Sequence, residues 1–443
     1  MSFTLLGILN AQAAGGGIIY WLATLGGVSG DEGNSTAIDS ADNVYMFGYT
    51  GSTGAGRNDF LLAKYNSAGT IQWQRTLGGS DTDQGYSVAI DSADNVYVFG
   101  VAESAGAGGQ DFLLAKYNSG GTIQWQRVLG GSGNDRGFSV TIDSADNIYL
   151  VGWTDSTGAG SRDFLLAKYN SSGTIQWQRV LGGSGYDEGK SVAIDSADNV
   201  YVFGHTRSAG AGNHDFLLAK YNSGGTIQWQ RVLGGSGFDT GYSVAIDSAD
   251  NVYVLGRTDS TGAGSYDFLL AKYNSAGTIQ WQRILGGSSD EEGYSVAIDS
   301  ADNVYVLGRT DSTGAGNHDF LLAKYNSAGT IQWQRVLGGA SIEEGYSVAI
   351  DSADNVCMLG KTTSTGAGSS DFLLAKLPND GSLTGTYVLD GVDMVYATST
   401  LTAATSTLTA ATSTLTAATS SLTAATSTLT AATSTLTEHF VEL

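Results

Sequence analysis

The sequence is poor in residues that break or staple a chain: among 443 residues there is one proline and one cysteine. A lone Cys357 excludes an internal disulfide. It stands in NVCMLG where sister segments carry Tyr, so it reads as a buried thiol filling a core slot. Basic residues are scarce too, 21 against 43 acidic, giving a net charge of −22. That balance sets nucleic acid aside as a partner, because binding it requires Lys and Arg to neutralise phosphates. The four histidines are His205, His214, His318 and His439, and His318 is two repeats from His214, too far to share a metal or a proton. No G-x-S-x-G, H-E-x-x-H or P-loop occurs, and no apolar run reaches transmembrane length. These absences lead to the expectation of a protein that is not an enzyme and has no transmembrane segment.

Repetition is what the chain has in abundance. Copies of DFLLAKYN begin at Asp59, Asp111, Asp163, Asp215, Asp267 and Asp319, with a near copy, DFLLAKLP, at Asp371, each 52 residues after the last. With 63 glycines and many Val, Ile, Tyr, Phe and Trp, the material is short strands joined by glycine turns. In the copy spanning 137–183, strands are expected at 139–142, 147–151, 164–169 and 174–181. The second of these, NIYLVG or NVYVFG elsewhere, is apolar on both faces, which an antiparallel strand needs only when sheets cover both sides. Blades stacked around an axis supply that cover. The expected fold is all-β: a seven-bladed β-propeller of 52-residue, four-stranded blades over 18–377.

The outer strand TIQWQRVLGG follows the third strand only six times, and the seventh copy lies at the front. IIYWLATLGG puts Trp21 and Leu25 52 residues before Trp73 and Leu77, so 18–25 is expected to close the last blade and fasten the ring. SLTGTYVLDG has the same phase near the other end but carries Gly385 where Trp belongs. It is expected to leave the ring, within a linker over 378–397 that holds an extra strand.

The phrases SVAIDSADNVYVFG and DFLLAKYNSAGTIQWQRVLGG resemble the SBBP repeats, a family of bacterial and phage sequences associated with seven-bladed β-propellers. The resemblance implies a fold more than a function. MSFTLLGILNAQAAGGG has an apolar run and an Ala11-Gln12-Ala13 site like a signal peptide, but no Lys or Arg precedes the run. Residues 1–17 therefore read as an N-terminal arm or anchor, and this opening resembles the start of some tailed-phage virion proteins.

From Thr398 the composition changes to a seven-residue repeat, with Leu at 401, 408, 415, 422, 429 and 436 and Ala at 404, 411, 418, 425 and 432. The three-four spacing fits heptad positions a and d, and an odd period would swap the faces of a flat strand. The expectation for 398–443 is a helical multimerisation stalk; a disordered linker and another repetitive fibre are the alternatives, given the many Thr and Ser. The likeness in layout to phage fibres implies a homotrimer formed through this tail.

Because the shared phrases are scaffold, functional information lies where the copies differ. In a four-stranded antiparallel blade, the loops from outer to next inner strand and from second to third strand share one face, and those are the varying ones. Three rings on that face are candidates. The first is an acid in every blade, Asp31, Asp83, Asp135, Asp187, Asp239, Glu291 and Glu343. Such a ring could hold Ca2+, though each acid could instead accept N–H bonds in its own turn, and no D-x-D-x-D-G loop is present. No other cofactor is implied. The second ring comes three residues later, Asn34, Tyr86, Phe138, Lys190, Tyr242, Tyr294 and Tyr346, placed to line the channel mouth for a sugar or peptide or else to pack against neighbouring blades. The third follows the second strand: Tyr49, Val101, Trp153, His205, Arg257, Arg309 and Lys361, where exposed Trp and Arg would serve as recognition anchors or reflect drift.

The expected function is a non-enzymatic structural or adhesive virion component of a tailed phage, such as a tail fibre, head fibre or decoration protein, that displays the propeller to other virion proteins or to a host-surface receptor or glycan. The alternative is a secreted bacterial surface protein or a lectin-like, glycan-binding propeller, extracellular or on the cell surface.

Overall fold

The computed structural model describes residues 20–399 and, in the tail, 401–406, 408–411, 413, 416–418, 423–425, 430–432 and 437–442. Residues 1–17, read above as an arm, lie outside the described residues, as do Leu415, Leu422, Leu429 and Leu436.

Seven antiparallel sheets form the ring. Blade 1 runs outward from Asp31–Ile38 through Val44–Thr50 and Asp59–Tyr65 to Ile71–Gly78, and the pattern recurs every 52 residues to Ile331–Gly338, the outer strand of blade 6. Blade 7 has Glu343–Ile350, Val356–Thr362 and Asp371–Leu377, and Trp21–Gly26 takes its fourth place. The register of that closure, Trp21↔Lys376 and Leu25↔Phe372, repeats Trp73↔Lys64 and Leu77↔Phe60 of blade 1.

The core lies between blades because the second strand is apolar on both faces. Tyr97 and Phe99 of blade 2 pack with Ile148, Leu150 and Leu165 of blade 3, while Val96 and Val98 join Tyr45, Phe47 and Phe60 of blade 1. The inner strand starts four residues earlier than the sequence suggests, at Asp135 in blade 3, because a bulge between Gly137 and Ser139 lets pairing continue to Thr154. Gly137 is confined to glycine there, since a Cβ would lie 2.2 Å from Cζ of Phe99.

The uniform DSADN turns join the blades. In each, Ser donates its N–H and hydroxyl to the Asp of the next blade's turn, as Ser40 does to Asp94 at 3.0 and 2.8 Å. The circle closes with Ser352 donating to Asp42 at 3.0 and 2.7 Å. These Asp residues sit at φ from 57° to 62°, a left-handed conformation that Asp tolerates better than most residues. On the outer strand, Arg75 Nε reaches the carbonyl of Gly121 at 2.8 Å, and Arg127, Arg179, Arg231 and Arg283 repeat the contact blade by blade.

The tail corrects the expectation of a helical stalk: its described residues hold strands and no helix. A hairpin of Gly385–Leu389 and Val392–Thr398 lays its second strand on the outer edge of blade 6. Thr402–Ala404 then pairs with blade 5, Thr409–Ala411 with blade 4, Thr416–Ala418 with blade 3, Thr423–Ala425 with blade 2 and Thr430–Ala432 with blade 1. Thr437–Glu442 finishes on Trp21–Gly26 of blade 7. The tail is a belt that circles the ring backwards and supplies every blade with a further strand. Leu401 enters the core between blades 5 and 6, and Leu408 packs between blades 4 and 5. Gln334 and Gln282 each donate to the carbonyl of one of these leucines at 2.8 Å. The period of seven thus measures a step from blade to blade.

Candidate binding face

The two varying loop sets meet on one face through backbone pairing: Asn58 bridges Thr82, Arg162 bridges Tyr186 and His214 bridges Phe238, each across adjacent blades. All three candidate rings lie on this face or just inside it.

The acid ring is wholly buried. Each carboxylate accepts the N–H of the glycine four residues before it, from Gly27 to Asp31 at 2.9 Å through to Gly339 to Glu343 at 2.6 Å. Most also accept a hydroxyl, as Asp31 does from Ser52 at 2.8 Å and Glu291 from Thr310 at 2.8 Å. Burial raises Asp83, Asp135 and Asp239 against these local donors. The arrangement is seven separate turn clamps, and no cluster of three metal-ligating side chains occurs among the described residues.

The second ring lines the channel, every member half-buried. Neighbours touch: Tyr86 and Phe138 have ring centres 5.3 Å apart, Tyr242 and Tyr294 5.2 Å, and Tyr294 and Tyr346 5.4 Å. Lys190 places Nζ 3.8 Å from the Phe138 ring centre, and Asn34 donates to the carbonyl of Gly85 at 2.8 Å.

The third ring is less open than its residue types suggest. Trp153 is 4% exposed and His205 5%, and Val101 is buried. Trp153 is covered by the Arg162 guanidinium, 4.1 Å from its ring centre, so it does not offer its face as a surface anchor. Arg257 and Arg309 both converge on Glu292, at 2.6 and 2.8 Å. Lys361 bridges Glu344 at 2.9 Å and Glu32 at 3.4 Å. Tyr49 also interacts with Glu32, and burial followed by that carboxylate pushes its hydroxyl pKa up.

A fourth ring was missed: Glu32, Gln84, Arg136, Glu188, Thr240, Glu292 and Glu344, each paired in register with a third-ring residue, such as Arg136↔Trp153 and Glu188↔His205. Its signal was available in the sequence, because this column varies from Glu to Arg to Thr while the glycine after it never changes. Glu188 is the hub on one side. Burial opposes its charge, yet Lys190 at 2.8 Å, with the hydrogen bond from Arg162, holds it down to about 2. Burial and then the Lys190 charge lower His205 to about 3, so it stays neutral while stacked on His214 at 4.8 Å.

Between blades 2, 3 and 4 the face opens into a cleft of about 540 Å³ whose lining includes Arg136, Phe138, Trp153, Arg162, Glu188 and Lys190.

Comparisons with known proteins agree with the repeat. The SBBP family, described as a beta-propeller repeat, matches at residues 72–104, 124–158, 176–210, 228–262 and 280–314. Each match runs from the outer strand of one blade to just beyond the second strand of the next, so the family's unit is offset from the blade. A domain of unknown function described as a beta-propeller, DUF5122, matches 145–175. Among curated proteins, the chain is 21% identical to the uncharacterized WD repeat-containing protein L264 of Acanthamoeba polyphaga mimivirus over 77% of its own length. It is 22% identical over 79% of its length to the regulatory protein FlaEY of Caulobacter vibrioides. It spans 36% and 42% of the lengths of those two proteins. Among solved structures, the phage phi92 endosialidase is similar at 10% identity and a TM-score of 0.44, over 82% of this chain and 69% of that one. The chain carries SBBP beta-propeller repeats built into a seven-bladed ring.

Proposed function

We propose that the chain is a non-enzymatic adhesive component of a tailed-phage virion, whose loop face meets the host surface. The observation that carries this reading is the division of labour between the faces. Side chains of the uniform face are used up in the Ser-to-Asp circle that joins the blades. The loop face holds most of the side-chain variety, an aromatic channel mouth and a cleft. The sequence likeness of residues 1–17 to virion proteins supports attachment at that end. The ionisable groups of the face favour binding over catalysis, because they are tied to one another: His205 is held neutral, and Glu188 and Glu292 are held charged by their cations.

The test is adhesion of the labelled full-length chain to host cells. Replacing the exposed loop residue Tyr186 by alanine should weaken adhesion and leave the melting temperature within about 2 °C, since a surface change of this kind costs little stability. Unaltered adhesion would remove the loop face from the function. Absence of the chain from purified virions by mass spectrometry would remove the virion from it.

A further inference from the structure

All the lysines of this acidic chain, and three of its arginines, pair with carboxylates. Lys64, Lys116, Lys168, Lys220, Lys272, Lys324 and Lys376 each pair with the Asp that opens a DSADN turn. On the loop face Arg257, Arg309 and Lys361 pair with Glu292 and Glu344, and Arg162 and Lys190 pair with Glu188. Arg136 differs. It donates from Nη2 to Gln84 Oε1 at 3.3 Å and to the Tyr86 hydroxyl, and its guanidinium carbon lies 5.1 Å from the Tyr86 ring centre and 5.5 Å from that of Phe138. No carboxylate of the described residues lies within ion-pair distance of it, and its Nε is buried without a partner. A half-buried guanidinium held in place by two aromatic rings and denied a counter-charge is costly to fold, and an incoming carboxylate would relieve that cost with paired hydrogen bonds.

We propose that the cleft over blades 2 to 4 binds a carboxylated saccharide, with Arg136 receiving the carboxylate. This rests on the adhesive reading of the loop face and names what it takes hold of. Three cations, Arg136, Arg162 and Lys190, face a single carboxylate, Glu188, among the strand and loop residues of blades 3 and 4 that line the cleft. The blade 2 loops bring Asp81, Glu103 and Gln110 to the same cleft. Those two acids disfavour a ligand with several negative charges, such as a polyphosphate or a heavily sulfated chain, but accept hydrogen bonds from sugar hydroxyls. One anionic group at one end and hydroxyls at the other describe a uronic or nonulosonic acid residue. The volume of about 540 Å³ is within the range of small-ligand clefts.

The experiment is calorimetric titration of the full-length chain with a panel of oligosaccharides bearing uronic or nonulosonic acids, each run beside its methyl ester, which has the same sugar without the charge. At least one acid should bind roughly tenfold or more tighter than its ester, and Arg136→Gln should lose roughly that factor, in keeping with a charge-assisted pair. Arg136→Gln should melt close to the parent, because it removes a cation with no internal carboxylate while Gln can still hydrogen-bond its neighbours. Arg136→Lys, which keeps the charge but not the fork, should fall between the two. Arg57→Gln, at an exposed loop tip of blade 1 outside the cleft, should bind like the parent. If no acid outbinds its ester, or if Arg136→Gln binds like the parent, the proposal is overturned. Cell adhesion that depends on the loop face without any saccharide binding would sink this assignment alone; saccharide binding without adhesion would sink the adhesive reading alone.

Discussion

Two tryptophans at equivalent positions should differ sharply in what they contribute to stability. Trp21 and Trp125 occupy the same register, opposite Lys376 and Lys116 in their blades. Trp21 is 0% exposed and Trp125 is half-buried. The difference comes from the belt. On blade 2 the belt strand covers only Val128, Leu129 and Gly130, which leaves the Trp125 end of the outer strand open. On blade 7 the C-terminal strand covers the whole of Trp21–Gly26, and Trp21 also stacks on Tyr65 of blade 1 at 5.8 Å. Trp21→Ala should therefore cost about 3–5 kcal/mol, the range for deleting a large buried aromatic that leaves a cavity. Trp125→Ala loses about half that buried area, for about 1–2 kcal/mol. Denaturant midpoints of the two variants, measured beside the parent under one set of conditions, test the pair. A loss at Trp125 equal to or greater than that at Trp21 would refute the claim that the C-terminal strand seals the closure.

Two further predictions concern the carboxylates. Burial raises Asp111, Asp215, Asp267 and Asp319 to about 6, above their unfolded value, so the folded state binds more protons between about pH 4 and 6 and loses stability as pH rises through 6. Asp39, Asp91 and their equivalents go the other way: burial opposes their charge, but Asn and Lys donors hold them below the usual range, so their contribution is lost only as pH falls below about 4. Melting temperature should peak near pH 4, and Asp215→Asn should raise it at pH 7.5 with little change at pH 4; a flat profile in both proteins contradicts the assignment. In the uniform face, Asp94→Ala removes the acceptor for two Ser40 donors and puts alanine at φ 58°, for a loss of about 2–3 kcal/mol by denaturant titration, whereas Asp94→Asn should lose less than half as much.

The ring was legible because its cause is local in the sequence: a 52-residue period, a second strand apolar on both faces, and Trp21 standing in phase with Trp73. The channel lining was legible for the same reason, as a fixed offset from the acid of each blade. What decides accessibility was not, because it depends on loops that meet only in the folded ring. Trp153 looks like an anchor until Arg162, from the next loop of its own blade, is seen to cover it. Arg136 lies in a column that resembles turn filler, and its significance comes from lining the cleft with no acid at ion-pair distance, a property of three dimensions. The histidines were judged by distance along the chain between blades, which missed His205 and His214 stacking within one blade.

The tail misled because two structures share its arithmetic. A coiled coil advances about 1.5 Å per residue, or about 10 Å per seven, while an extended chain advances about 3.3 Å per residue and covers about 23 Å in the same seven. Only the second can carry the chain from one blade edge to the next. The objection that an odd period flips a strand's faces fails here, because three residues pair on each blade and four make the step, so no strand continues across periods. Each Thr of the TAA segments meets the first Gly of an LGG, Gly286↔Thr402 and Gly234↔Thr409 onward to Gly78↔Thr430. The number of segments is then fixed by the ring: seven blades, less one covered by the hairpin strand Val392–Thr398 and one by Thr437–Glu442, leave five, and five TAA segments are present. Removing one seven-residue unit should bring the C-terminal strand to blade 1 and leave Trp21–Gly26 uncovered. Adding one should carry it past blade 7 to an edge already occupied. Melting temperature across tails of four, five and six TAA segments should therefore peak at five, with four no more stable than a chain ending at Leu436. A stalk or a linker would be indifferent to the count, so a monotonic or flat series across the three lengths would show that the belt does not act as a lock.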